Sequence, residues 1–92
     1  MDNVVDAIQE MALQLRKISE IAYNQYKPIA SDLCSRVASL REVEYTLDRM
    51  LDFCGDDAVL GLFKDICRHY FDIYPEMIVY QINSYREIWD TE

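Results

Sequence analysis

The sequence predicts an all-α fold: one small helical domain of about four helices, two long and two short. Three observations predict it. Apolar residues recur at alternating steps of three and four along most of the 92 residues, which is the spacing of a helix seam. Glycine and proline number only two each, and they fall as punctuation at Pro28, Gly55, Gly61 and Pro75. No stretch reads as a linker, a low-complexity tract or a repeat, so residues 1–92 form a single acidic helical domain. Apolar residues at 51% against charged residues at 28% place the chain with globular rather than disordered sequences.

The first helix is expected from about Asn3 to Tyr26. Val4, Ile8, Met11, Leu15, Ile18 and Ala22 are spaced 4-3-4-3-4, a seam that faces a partner element. Asp2 or Asn3 can cap its start. Pro28 disfavours helix at Lys27 and marks a break there. The second helix is expected from Ile29 or Ser31 to Cys54, with Leu33, Val37, Leu40, Val43, Leu47, Leu51 and Cys54 as its seam. Gly55 follows it, placed to take the left-handed conformation that ends many helices. The third is expected from Ala58 to Ile73, capped by Asp56 or Asp57, with Val59, Leu62, Phe63, Ile66, Cys67, Tyr70 and Phe71 inward. Gly61 weakens it from inside. The fourth starts at Pro75, a favourable first helical residue, and carries Ile78, Ile82, Tyr85 and Trp89. The aromatic and β-branched run from Tyr70 to Ile82 leaves a short hairpin as an alternative at 70–82. The two long seams suggest an antiparallel helical pair, closed by the shorter helices or by a second subunit in a homodimer.

Seventeen acids against nine bases give a net charge of −8, large for so small a domain and a source of self-repulsion. That charge disfavours binding to nucleic acid, whose phosphates dominate affinity, and to anionic membranes. It favours a basic partner. The first residues lack the positive charge and apolar run of a secretory signal, and no stretch approaches the roughly 20 apolar residues of a membrane span. Cys34, Cys54 and Cys67 are odd in number and without a CxxC pair, so they read as reduced, buried thiols.

The acids are patterned. Glu44, Asp48, Asp52 and Asp56 stand four apart, with Asp57 beside the last, and Asp2, Asp6 and Glu10 repeat the spacing at the start. Residues four apart on a helix are neighbours, and like charges there repel by roughly 0.2–0.5 kcal/mol per pair. Around the second helix Glu44 sits about 60° from Leu47, Asp48 about 100° and Asp52 about 140°. The acids therefore leave the flank of the apolar seam and wind across exposed surface. Rungs rise about 6 Å, whereas a DNA strand carries a phosphate about every 3.4 Å of axis. One ladder is sparser than a strand, and matching a duplex needs both ladders or two subunits. From Glu42 to Asp57 only Arg49 interrupts the run. Other bases cluster at Arg16–Lys17, Arg36–Arg41 and Lys64–Arg68, and Asp32–Arg36 reads as an ordinary helical ion pair.

Chemistry is not indicated. His69 is the single histidine, and Cys67, two residues away, points elsewhere on a helix. There is no GxSxG, no glycine-rich phosphate loop and no HExxH. Asp52, Asp56 and Asp57 do not follow the calcium-loop order. No enzymatic activity, metal or cofactor is expected. Seven tyrosines suit either the rim of a core or an interface, and Leu60, Tyr74 and Trp89 are candidates for an interface patch.

In size, acidity and overall sequence, from MDNVVDAIQEMALQLRKISEIAYNQYKP to SYREIWDTE with both ladders, the chain resembles the phage-encoded DNA-mimic proteins, in particular the small anti-restriction proteins of T-even phages. The resemblance implies an inhibitor acting in the cytoplasm of a host bacterium, on a restriction nuclease that cleaves modified DNA or on a histone-like nucleoid protein such as H-NS. It implies that Asp2, Asp6, Glu10, Glu44, Asp48, Asp52, Asp56 and Asp57 stand in for phosphates. The basic patch at Lys64–Arg68 departs from a uniformly negative surface. The competing expectation is a helical interaction module of the immunity, antitoxin or adaptor type, binding through its aromatic patch.

Overall fold

The computed structural model describes residues 2–90, the side chain of Asp2 excepted. Four helices follow one another: α1 (Asp2–Cys34), α2 (Leu40–Met50), α3 (Asp57–Tyr70) and α4 (Pro75–Trp89), with a 3-10 turn over Leu51–Phe53 after α2. The described residues contain no strand, so 70–82 is a turn and a helix rather than a hairpin. The helix count and class are those expected. The division of lengths differs: one helix of 33 residues and three of 11 to 15.

The difference begins at Pro28, which lies inside α1 instead of ending a helix. A proline in a helix interior forfeits one backbone bond and crowds the preceding turn, at about 3 kcal/mol. Packing outweighs this. Ala22, Tyr26, Ala30 and Leu33 lie on one stripe of α1 and are all buried, and α1 packs chiefly on α3. Interrupting the helix at Lys27 would take Ala30 and Leu33 out of the core.

The long second helix is correspondingly shortened. Val37, expected in its seam, is 70% exposed in the connection. Ser39 caps α2 by accepting a hydrogen bond from the Glu42 backbone N–H at 3.2 Å, and Ser-Leu-Arg-Glu is the capping-box pattern. The connection is fastened by Tyr70. Its hydroxyl accepts from the Ala38 N–H at 3.0 Å and lies 2.7 Å from the Leu33 carbonyl and 2.9 Å from that of Arg36. Tyr74 stacks on Tyr70 and donates to the Ala38 carbonyl at 2.7 Å. The Leu33 carbonyl near the end of α1 and the Ala38 carbonyl of the connection thus find donors on α3 and just beyond it.

Gly55 does not take the left-handed conformation; no glycine has a positive φ. It is small for another reason. The Trp89 ring lies on it, and a Cβ at Gly55 would come within 2.7 Å of that ring. Asp56 caps α3 as expected, accepting from the Val59 N–H at 3.2 Å, and Pro75 opens α4.

The core joins the C-terminal half of α1 to the other three helices through Leu33, Val43, Leu47, Met50, Val59, Phe63, Ile66, Tyr70 and Ile78. The N-terminal half of α1 stands apart from it. Every residue from Asn3 to Ile21 is exposed except Ser19, which is half-buried. The expected seam of Val4, Ile8, Met11, Leu15 and Ile18 is therefore uncovered, and only Ala22 of that series is buried. This free arm gives the molecule its length, 56 Å against 30 and 17 Å in the other directions.

Candidate functional site

The second ladder does not ride on one helix. Glu44 and Asp48 belong to α2, Asp52 to the 3-10 turn, Asp56 is the cap of α3 and Asp57 its first residue. The spiral stripe breaks after Met50, where Leu51 and Cys54 turn into the core and Trp89 Nε1 donates to the Leu51 carbonyl at 2.7 Å. Up to that point the angular reading holds: Glu44 is half-buried on the flank of the seam and Asp48 is exposed; Asp52, beyond the break, is exposed as well.

Two rungs have work inside the fold. Asp48 accepts a hydrogen bond from Gln81 Nε2 at 2.6 Å. Gln81 has no exposure, and no hydrogen-bond partner meets its Oε1. Asp56 is half-buried and spent on capping α3. Asp57, one position on, favours the same helix through the positive N-terminal end of its dipole. Asp52 and Asp57 remain exposed, with no side-chain partner among the described residues.

The first ladder lies on the free arm. Asp6 and Glu10 are exposed, each about 160° from Ile8 on the wheel and so opposite the apolar seam. Asp2 begins α1, but its side chain lies outside the described residues. The structure brings the foot of the second ladder to the root of this arm. Asp52 and Asp56 line a groove with Leu15, Ile18, Ser19 and Trp89, and Asp56 shares a neighbouring hollow with Arg16 and Glu20. Glu20 was missed by the four-residue spacing, although the wheel puts it about 40° from Asp6. Arg16 and Lys17 follow Glu10 on the arm, so the acid face is interrupted there.

Three of the nine bases are engaged by other groups. Arg36 pairs with Asp32 at 2.9 Å and Glu42 at 2.6 Å, and Arg68 with Asp65 at 3.6 Å. Hydrogen bonds from Arg36 hold the Glu42 carboxyl below the usual carboxylate range. Arg49, the lone base within the run, donates to the Tyr45 hydroxyl at 2.9 Å and lies over that ring. Among the described residues no ion pair involves Asp6, Glu10, Glu44, Asp48, Asp52, Asp56 or Asp57.

The aromatic patch does not assemble as expected. Leu60 and Tyr74 are half-buried against the core, and Trp89 is folded over Gly55 with its N–H occupied. His69 is exposed, edge-on to Tyr70, with its ring 3.4 Å from the Arg36 carbonyl. No group of three or more His, Cys, Asp or Glu among the described residues is placed to hold a metal ion, and no described helix is long and apolar enough to cross a membrane. Cys54 and Cys67 are buried, Cys34 is half-buried, and all three are free. No family model, curated protein or solved structure matches the chain.

Proposed function

We propose that this chain is a competitive inhibitor of a basic DNA-binding protein, presenting carboxylates where that protein expects phosphates and performing no chemistry itself. One observation supports this reading above the others. The exposed acids Asp6, Glu10, Asp52 and Asp57 have no cationic partner among the described residues, while Arg36 and Arg68 pair with Asp32, Glu42 and Asp65 and Arg49 is turned to Tyr45. A surface shaped only for stability would interleave opposite charges at four-residue spacing. A restriction nuclease and a histone-like nucleoid protein are the two kinds of target that suit it.

The relationship between fold and charge sharpens which acids carry the function. Asp48 and Asp56 each satisfy a buried or capping donor, so replacing them disturbs the fold as well as the charge. Asp6, Glu10 and Asp52 are the rungs whose reversal reports on recognition alone. The test is a gel-shift competition in which the chain displaces a DNA fragment from a nucleoid protein. Displacement is expected at low salt and is expected to weaken steeply as salt rises, as for phosphate contacts. Displacement that ignores salt would point to an apolar interface instead.

A further inference from the structure

We infer that the groove between α3 and α4 is a docking site for an amphipathic helix of another protein, one whose apolar stripe is flanked by carboxylates four residues apart. The two helices run antiparallel along it. Phe63 meets Tyr85 with ring centroids 6.3 Å apart, and further along Phe71 shares a hollow with Ile78 and Ile82. Phe63, Cys67 and Ile78 are buried as its floor, and Leu60, Ile82 and Tyr85 stand half-buried as its walls. Its wider part encloses about 380 Å³, within the roughly 300–1,000 Å³ of recognition pockets. Phe71, at the far end, is 48% exposed. From Leu60 to Phe71 the groove runs about 16 Å, three helical turns.

Charge selects the occupant. Three of the nine bases rim this groove: Lys64 and Arg68 on α3 and Arg86 on α4. Among the described residues Lys64 and Arg86 have no ion pair, and Arg68 has one at 3.6 Å with its side chain 76% exposed. Lys64 and Arg68 stand four apart, about 6 Å along the helix, so they match two carboxylates four apart on a facing helix. Arg86 matches the other flank. A free acyl anion has one charged head and would engage one end, whereas these bases are strung along the groove. Asp72 and Asp90, the acids that reach it, follow the ends of α3 and α4 and leave the middle to the bases. The net charge of −8 does not repel such a helix at physiological salt, where screening confines each charge to about 8 Å. The apolar floor supplies affinity, as in other helix-in-groove complexes, and the rim supplies the choice of partner. Asp6, Glu10, Asp52 and Asp57 line neither hollow, so this site does not rest on the inhibitor reading.

Amide chemical shifts of the full, isotopically labelled chain test it, with two capped peptides of about 15 residues, long enough to hold a helix. Both carry leucines on one stripe. One carries glutamates four apart on each flank, and the other carries lysines in their place. The glutamate peptide is expected to move amides along α3 and α4 saturably, with a dissociation constant below about 1 mM, and the lysine peptide is expected not to bind there. A Lys64→Gln, Arg86→Gln variant, which breaks no ion pair, should weaken the glutamate peptide at least about threefold. A Lys64→Glu, Arg68→Glu, Arg86→Glu variant should weaken it at least about tenfold and gain binding of the lysine peptide. No saturable movement with the glutamate peptide, equal affinity for the two peptides, or movements mapped outside the groove overturns the inference. So does undiminished binding by the Gln variant. Dodecanoate moving the same amides while the glutamate peptide moves none also overturns it, and assigns the groove to a small anion.

Discussion

Gln81 Nε2 donates to Asp48 Oδ1 at 2.6 Å, tying a rung of the acidic ladder on α2 to a side chain on α4 that has no exposure. Asp48 is thus a surface charge and a structural acceptor at once. Asp48→Ala leaves the Gln81 amide buried with neither end satisfied, and is expected to cost about 1–3 kcal/mol. Gln81→Met keeps the volume, removes both the donor and the unpartnered oxygen, and should cost less than about 1.5 kcal/mol. The double variant should match Gln81→Met alone. Urea unfolding of the four proteins measures the coupling; strictly additive losses would show that the bond contributes nothing.

Tyr70 is the fastener between α1 and α2. Tyr70→Phe keeps the ring in the core but leaves the Ala38 N–H and the Leu33 carbonyl without their partner. The expected loss is about 2–3 kcal/mol, a fall of roughly 8–24 °C for a domain of this size. Thermal melts followed by circular dichroism check it. A loss under about 0.5 kcal/mol would mean that water replaces the hydroxyl.

The thiols should separate by burial. Desolvation pushes Cys54 and Cys67 up to about 12, leaving little thiolate at neutral pH. Cys34 is raised too, first by burial and then by the Asp65 charge, but it is half-buried rather than buried. Titration with a thiol reagent should modify Cys34 first and the other two only on unfolding. Mass spectrometry of the early adduct identifies the site.

Acid should weaken the Arg36–Glu42 link specifically. The folded Glu42 carboxyl lies below its ordinary value of 4.5 because Arg36 hydrogen-bonds to it. Its contribution is therefore complete above pH 4.5 and is lost as the pH falls through the lower folded value. Exposure keeps the effect small. Glu42→Gln should flatten this part of the stability profile between pH 5 and pH 3, measured by urea midpoints.

Helix class, the Asp56 cap, the Pro75 start and the Asp32–Arg36 pair were legible because each is a local rule with a local signal. Pro28 was misleading because burial of Ala30 and Leu33, thirty-odd residues away in sequence from the α3 face that covers them, overrode a local penalty. The start of α2 was legible but overlooked: Ser39 and Glu42 spell a capping box. Gly55 was given a backbone role when its smallness serves Trp89, a neighbour that only the fold supplies. The seam on α1 was correctly periodic, yet periodicity does not say whether the covering surface lies in the same chain. Of the ladder, exposure of Asp48 followed from helical angles. The duties of Asp48 and Asp56 did not, because Gln81 reads as an ordinary polar residue and the break after Met50 is set by packing.

The most direct test of the central claim is the gel-shift competition with an Asp6→Lys, Glu10→Lys, Asp52→Lys variant beside the unaltered chain. The unaltered chain should displace DNA from a nucleoid protein at low salt. The variant, with an unchanged melt, should require at least about tenfold more protein, a loss of about 1.4 kcal/mol. Equal displacement by the two proteins would contradict the claim that these carboxylates stand in for phosphates.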